Sequence, residues 1–236
     1  MEARRTPILD SGAERFFRES DYWKAWSGVP DLTADVPYAL AAVRSSDARV
    51  LDVPCGRGRL LKLVHRAAPA AALFGLDVSE AMARQVRQDV PYAQVEIGSV
   101  YQIPFRDRGF DAVLCHESFM HFDHPRAAIG ELCRVARDRV YFSVTTGRQL
   151  NTLLRRVGLL GSRDVPHWTY NIEQVRELLP ESFRWQIVGA FLAGRKALRF
   201  THSTYLRLHQ VIGRRLPQAL LRTLGQTLFV YGTRVG

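Results

Sequence analysis

The sequence predicts an α/β fold built on an open, mostly parallel sheet. Short apolar, β-prone runs alternate along the chain with amphipathic helical segments, which is the pattern of parallel strands joined by crossover helices. Polar residues also stand at the predicted ends of successive strands, at Asp52, Asp77, Ser99 and His116. Such residue types are uncommon in a core, so their convergence indicates a ligand site at the carboxyl edge of the sheet.

The elements follow one another in the order that this fold requires. Strands are predicted at 49–53, 72–77, 93–97, 110–115, 139–144, 184–192 and 227–234. Helices are predicted near 13–26, 36–43, 60–66, 80–89, 126–137, 149–157 and 172–179. The run 205–225 is predicted to be a basic helical insertion that Pro217 interrupts.

Length and composition indicate a single domain. A chain of 236 residues with 47% hydrophobic content can bury one substantial core. We divide it into an N-terminal helical cap (1–45), a ligand-binding core (46–146) and a third part (147–236) with the substrate side, the insertion and the closing strands.

The most informative stretch runs from Arg49 to Arg59, with the sequence RVLDVPCGRGR. An apolar strand ends at Asp52, a turn containing Gly56 and Gly58 follows, and an amphipathic run begins next. Glycines there permit positive φ and close approach of a ligand to the backbone. The dinucleotide pattern G-x-G-x-x-G is not met, and no Gly-Lys-Ser/Thr follows, which disfavours nicotinamide dehydrogenases and P-loop proteins.

Four sequence elements in order over residues 48–145 resemble class I S-adenosylmethionine-dependent methyltransferases, in the broad group that modifies small molecules. The family loop D-x-G-x-G-x-G is matched at Asp52, Gly56 and Gly58. The further elements are residues 76–82 (LDVSEAM), 98–105 (GSVYQIPF) with 110–114 (FDAVL), and the His121 region leading into 127–135 (AAIGELCRV).

The resemblance implies a Rossmann-like, seven-stranded, mostly parallel sheet with helices on both faces, an antiparallel last strand and an N-terminal helical lid. It implies S-adenosylmethionine as cofactor, with the glycine loop facing the methionine part and Asp77 the ribose hydroxyls. Val78 and Val100 would flank the adenine. The cofactor-binding residues implied in this way are Asp52, Pro54, Cys55, Gly56, Gly58, Asp77, Val78, Met82, Ser99, Val100, Cys115 and His116.

Two positions depart from the family pattern. Pro54 replaces the first loop glycine and removes one N–H donor. Ser99 replaces the aspartate that usually holds the adenine amino group, so we expect weaker cofactor binding than in typical relatives. A non-catalytic protein with this fold is an alternative that these departures leave open.

The expected reaction is methyl transfer to a small-molecule acceptor, with an oxygen as the favoured acceptor atom. A hydroxyl must lose a proton during transfer, and His116 or His121 is suited to assist near neutral pH. The residues expected to contact the acceptor are Tyr22, Trp23, Glu117, His167 and Tyr170. No metal site is predicted, because H-E-x-x-x-H lacks the H-E-x-x-H spacing of zinc sites.

The net charge of +10 is unevenly distributed. Residues 1–150 contain 20 basic and 19 acidic side chains, whereas residues 151–236 contain 13 and 4. An anionic or lipid-like substrate, a peripheral membrane surface, RNA and plain solvent exposure are alternative explanations of the basic part. RNA methylation is disfavoured, since no RNA-binding module or N/D-P-P-Y/F motif is present.

Three scattered cysteines and the lack of an apolar leader favour the cytoplasm. We expect a monomer or homodimer.

Overall fold

Seven strands form one sheet in the computed structural model, which describes residues 11–20, 35–147, 165–190, 217–225 and 227–236. The strands are β1 (Arg49–Asp52), β2 (Ala72–Asp77), β3 (Ala93–Ile97), β4 (Phe110–Cys115), β5 (Ala136–Thr145), β6 (Phe183–Ala190) and β7 (Thr227–Arg234). Their order across the sheet is β3-β2-β1-β4-β5-β7-β6.

The strand directions confirm the mostly parallel sheet. Strands β1 to β5 pair in parallel, whereas β7 is antiparallel to both of its neighbours, β5 and β6. The order reverses between β1 and β4, and ligands of open α/β sheets bind at the carboxyl ends of strands on either side of such a reversal.

Helices and a 3₁₀ turn accompany the sheet. They are α1 (Gly12–Glu19), α2 (Val36–Leu40), α3 (Arg59–Ala67), α4 (Glu80–Asp89), the 3₁₀ turn Phe119–His121, α5 (Pro125–Val135), α6 (Ile172–Leu178) and α7 (Gln218–Leu224). None of the described helices combines the length and apolar character that crossing a bilayer requires.

Strand alternation divides the core into two layers. Leu51 and Val113 pack on one side of the sheet, in a cluster with Leu132 of α5. Val50 packs on the opposite side of the sheet, in a cluster with Leu61 of α3. Because successive strand residues point to opposite faces, the apolar runs of the central strands bury side chains in both layers.

Local sequence sets several helix starts. The Ser11 hydroxyl accepts a hydrogen bond from the Glu14 N–H at the start of α1. Asn171 and Gln174 form a reciprocal capping box at the start of α6. These side chains satisfy backbone donors that the first helical turn leaves without intrahelical partners.

Element bounds differ from the sequence expectation for α1, α2 and β5. Helix α1 ends at Glu19, before residue 26, and α2 ends at Leu40, before residue 43. Strand β5 begins at Ala136, earlier than expected, because Ala136 already pairs with Phe110 of β4. The helix expected at 149–157 and most of the insertion 205–225 lie outside the described residues, as does the end of the strand expected at 184–192.

Candidate active site

A cavity opens at the carboxyl ends of β1, β2 and β4, beside the reversal of strand order. Its lining comes from the segments that follow β1, β2, β3 and β4, together with Glu14 and Phe17 of α1. The sequence placed polar residues at these strand ends, and the sheet brings most of them to one cavity.

The turn between β1 and α3 depends on two glycines for different reasons. Gly56 has a φ of +49°, and a Cβ added there would meet no atom within 4 Å. Gly58 has a φ of +72°, and its added Cβ would lie 2.9 Å from Cγ1 of Val86 in α4. Gly56 therefore leaves room beside the cavity, whereas Gly58 permits close packing of the turn on α4.

Asp77 fixes this turn through its carboxylate. Its Oδ2 accepts a hydrogen bond of 2.8 Å from the Gly56 N–H, and its Oδ1 accepts one of 2.9 Å from the Ser79 N–H. Burial raises the pKa of Asp77 to about 6, although these backbone donors act in the opposite direction. The side chain thus orders two loops while its remaining lone pairs stay available to a ligand.

A second buried carboxylate, Asp52, ends β1 and also lines the cavity. Burial raises its pKa well above the ordinary range; Asp77 raises it further, and the Arg59 guanidinium lowers it. Ionised Asp52 is therefore stabilised by positive charge, whether from Arg59 or from a cationic group of a ligand.

Glu14, which the sequence analysis did not identify, reaches the segment after β3. Its Oε1 accepts hydrogen bonds from the Ser99 hydroxyl at 2.8 Å and from the Val100 N–H at 3.1 Å. Burial raises the pKa of Glu14, and these two bonds partly offset the effect. Because Glu14 and Ser99 are 85 positions apart, the local sequence around either residue does not indicate this contact.

Helix α1 is held in place by Asp123. The Asp123 carboxylate accepts hydrogen bonds from the Ser11 hydroxyl at 2.8 Å and from the Tyr101 hydroxyl at 2.8 Å, and from the Ala13 N–H at 3.3 Å. Burial opposes ionisation of Asp123, but these donors outweigh it and lower its pKa. The N-cap residue of α5 is His124, which makes no side-chain capping hydrogen bond.

Three ionisable side chains, those of Asp35, His116 and Glu117, lie close together at the other side of the cavity. Nε2 of His116 lies 3.0 Å from Oδ2 of Asp35, and Nδ1 of His116 lies 3.0 Å from the Tyr141 hydroxyl. Glu117, at a φ of +52°, forms a 2.7 Å ion pair with Arg59. Burial and Asp35 raise the pKa of Glu117, while His116 and Arg59 lower it.

The donor atoms of Asp35, His116 and Glu117 lie within 4.8 Å of one another, so these side chains form a compact cluster. The imidazole of His116 and the guanidinium of Arg59 supply cationic or hydrogen-bonding partners to its two carboxyl groups. These contacts hold the cluster together as a polar network.

His121 belongs to the 3₁₀ turn after β4 and lines the same cavity. Its Nδ1 lies 2.6 Å from the Pro166 carbonyl oxygen, and its ring packs 4.9 Å from the ring of Phe17. The Trp168 N–H also donates to the Met120 carbonyl at 2.7 Å. Segment 166–168 therefore positions the turn that carries His121.

The central part of the chain is similar in sequence to known methyltransferases. Residues 51–144, which extend from β1 into β5, match the sequence model described as a methyltransferase domain. Over these matched residues the chain is a methyltransferase domain of the class I S-adenosylmethionine-dependent kind.

Two curated relatives show the range of the similarity. An uncharacterised methyltransferase of Schizosaccharomyces pombe is 28% identical over 142 residues, 56% of this chain and 49% of that protein. A malonyl-[acyl-carrier protein] O-methyltransferase of Methylococcus capsulatus is 30% identical over 119 residues, 48% of this chain and 43% of that protein. The matched region thus spans about half the length of these relatives.

The fold of the methyltransferase domain extends over nearly all of the chain. A magnesium protoporphyrin IX methyltransferase from Synechocystis PCC 6803, solved with bound S-adenosylhomocysteine, superposes with a TM-score of 0.65. The alignment covers 94% of this chain and 98% of that chain at 16% sequence identity. At that identity the likeness concerns the fold.

The cofactor of this methyltransferase domain is S-adenosylmethionine, and the cavity fits it chemically. A backbone turn with Gly56 at positive φ, buried carboxylates at Asp52 and Asp77, and apolar side chains of Val78 and Val100 line one continuous space. These groups suit, respectively, close approach of a polar tail, cationic and hydroxyl groups, and a flat ring.

Some of the remaining predicted site residues line the cavity and others do not. Pro54, Cys55, Met82, His116, Glu117 and His121 line the cavity. Ser99, Cys115, His167 and Tyr170 are not among its lining residues. The Cys115 thiol is fully buried in the core, the Ser99 hydroxyl donates to Glu14, and the Tyr170 ring packs on Phe119.

Two predictions about acceptor and surface contacts fall largely outside the described residues. Tyr22 and Trp23 lie there, as does the insertion 205–225 except for its last part, which contains α7. Within the described part of the chain, α1 contributes Glu14 and Phe17 to the cavity, next to His121.

Proposed function

We propose that this protein transfers the methyl group of S-adenosylmethionine to an oxygen of a small-molecule acceptor, with His121 as the general base. The observation that carries the assignment is the contact of 2.6 Å between Nδ1 of His121 and the Pro166 carbonyl oxygen. A carbonyl oxygen only accepts, so Nδ1 carries the proton in the neutral imidazole and the basic lone pair belongs to Nε2.

We assign His116 a different role, because its two ring nitrogens contact buried protein groups. The Asp35 carboxylate beside Nε2 favours a proton on that atom, and Nδ1 lies against the buried Tyr141 hydroxyl. We propose that His116 instead positions the segment after β4, while Glu117 contributes a carboxyl group to the acceptor side of the cavity.

When bound, the cofactor would supply an electrophilic methyl group, whose bond to the positively charged sulfur breaks as the bond to the acceptor oxygen forms and which leaves the neutral thioether S-adenosylhomocysteine. The chain's own residues would bind and orient it: Asp77 would accept hydrogen bonds from the ribose hydroxyls, and Asp52 would hold the cationic part of the methionine tail. Orienting the two reacting groups can supply about 7–11 kcal/mol of the barrier reduction. His121 accepts the acceptor's proton, which adds about 10²–10⁴-fold in rate.

The name of one relative supports oxygen as the acceptor atom but does not identify the substrate of this chain. The similar protein of Methylococcus capsulatus is named as an O-methyltransferase that acts on a malonyl group of a carrier protein. Anionic and lipid-like acceptors are compatible with the arginines that line the cavity, Arg57 and Arg59.

The test begins with S-adenosylmethionine carrying a labelled methyl group and a small-molecule fraction of cell extract. Mass spectrometry and NMR of the labelled product identify the acceptor atom, which we expect to be oxygen. With that acceptor, His121→Gln is expected to lower kcat by about 10²–10⁴-fold and to leave S-adenosylhomocysteine affinity unchanged.

His65→Gln is the matched control, because His65 stacks on Tyr92 and is not part of the cavity lining. It should retain wild-type kcat. A labelled nitrogen or carbon, or an undiminished kcat in His121→Gln, contradicts the proposed base catalysis at oxygen.

A further inference from the structure

Glu14 places a carboxylate in the cavity from a segment remote from the strand ends. Helix α1 is anchored by the hydrogen bonds of Asp123 with Ser11 and Ala13, so Glu14 is held at a defined position. Its Oε1 accepts from the Ser99 hydroxyl and the Val100 N–H, and the residue lines the cavity.

The second oxygen of this carboxylate remains available to a ligand. Both hydrogen bonds that the Glu14 carboxylate accepts involve Oε1, and no described residue donates a hydrogen bond to Oε2. A carboxylate offers about four acceptor positions, so Glu14 can accept further donors without losing its present partners. Burial raises the pKa of Glu14, and a donor from the ligand would favour the ionised form.

The sheet order gives the place of Glu14 along the bound cofactor. The glycine turn follows β1, Asp77 ends β2, and Ser99 and Val100 follow β3, with the three strands adjacent. Neighbouring strands are about 4.8 Å apart, so the contacts of Glu14 lie roughly 10 Å across the sheet from the glycine turn.

The donor groups of S-adenosylmethionine are spread along its length in a matching order. Its ammonium group is at the methionine end, its two hydroxyls are on the ribose, and its amino group is on the adenine. With the tail assigned to the glycine turn and the ribose to Asp77, the donor that remains for the β3 end is the adenine amino group. Val78 and Val100 provide apolar contact for the ring between these points.

We propose that Glu14 accepts a hydrogen bond from the exocyclic amino group of the adenine and thereby determines the base that the cavity accepts. Helix α1 would then supply the negative charge that Ser99 does not. The proposal rests on the cofactor assignment above and adds a specificity residue to the same site.

The test measures calorimetric affinities of two ligands for the full-length protein. One is S-adenosylhomocysteine, and the other is its 6-deamino analogue, in which hydrogen replaces the amino group. Wild-type protein is expected to bind the analogue about 10- to 100-fold more weakly, because the analogue leaves a partly buried carboxylate without its donor.

Glu14→Ala is expected to abolish most of this preference, and Glu14→Gln, which preserves the shape of the side chain, to reduce it. Glu19→Gln is the control, since Glu19 is exposed on the same helix and should keep the wild-type ratio. Comparing ratios removes any effect of the variants on α1 itself, because such an effect changes both affinities equally.

An unchanged ratio in both Glu14 variants overturns the proposal and leaves Glu14 as a structural contact of α1. A gain of S-adenosylhomocysteine affinity without a change in ratio also overturns it, because Glu14 would then occupy the space of the ligand. Wild-type protein that binds neither compound contradicts the cofactor assignment itself, so the two failures are distinguishable.

Discussion

The cofactor side and the acceptor side of the cavity are assembled from the chain in different ways. Apart from Glu14 of α1, the cofactor side uses one continuous stretch, in which β1, β2 and β3 end in succession beside one another. Its main contacts join side chains to the backbone, as when Asp77 accepts the N–H groups of Gly56 and Ser79.

The acceptor side instead joins distant segments through side chains. Asp123 reaches Ser11 across 112 positions, and His121 reaches Pro166 across 45. His116 meets Asp35, which precedes the first strand. Local strand-end geometry therefore positions the glycine turn and Asp77, whereas the acceptor side, like Glu14 on the cofactor side, depends on the packing of segments that are remote in the sequence.

The largest effect is expected on the cofactor side, from Gly58→Ala. Left-handed backbone costs a non-glycine residue about 1–2 kcal/mol, and contact with Val86 at 2.9 Å adds an overpacking penalty of about 1–3 kcal/mol. We expect a loss of about 2–5 kcal/mol in the free energy of unfolding, measured by urea denaturation.

The matched control is Gly130→Ala in α5, where an added Cβ meets nothing within 4 Å. This substitution should stabilise the protein by up to about 1 kcal/mol through helix propensity. Equal stabilities of the two variants would show that the glycine turn is not as constrained as its conformation indicates.

A smaller effect is expected from Asp123→Asn on the acceptor side. Loss of the charge weakens the hydrogen bonds from Ser11, Tyr101 and Ala13, and we expect about 1–2 kcal/mol of destabilisation. Hydrogen exchange of the α1 amides should accelerate more than exchange of the central strands.

The pKa of Asp123 is lowered, so its contribution is present above the ordinary aspartate range and is lost as pH falls through the folded-state pKa. Asp89→Asn, at an exposed ion pair with Lys62, should change stability by less than about 0.5 kcal/mol. Unaltered exchange of α1 in Asp123→Asn would argue against Asp123 as its anchor.

The smallest effect concerns the pH dependence of cofactor binding through Asp77. With a pKa of about 6, Asp77 is largely protonated at pH 5 and ionised at pH 7.5. The ionised carboxylate is the stronger acceptor for ribose hydroxyls, so S-adenosylhomocysteine affinity should rise over this interval, by at most about tenfold per pH unit.

The stability of the unliganded protein should change in the opposite direction. Because the folded-state pKa of Asp77 is raised, the stabilisation is greatest below the ordinary aspartate pKa and declines as pH rises through about 6. Calorimetry at several pH values checks the affinity, and Asp77→Asn should remove this part of the slope. An affinity independent of pH in wild-type protein would contradict the assignment.

The amino-acid sequence alone was sufficient to predict the sheet, the glycine turn and Asp77. Apolar runs ending at Asp52, Asp77 and Cys115 predicted the strand ends within a residue, because burial on both faces leaves a clear pattern in the sequence. The glycines of the β1–α3 turn permitted positive φ, and Gly56 and Gly58 adopt it.

The partners of Glu14 and of the side chains on the acceptor side became known only from the folded chain. Glu14, Asp123 and Asp35 belong to none of the motifs found in the sequence, yet each contacts a residue more than 80 positions away. The physical reason is that strand and turn formation depend on neighbours in sequence, whereas these contacts arise only where α1 and the segment before β1 pack against the completed sheet.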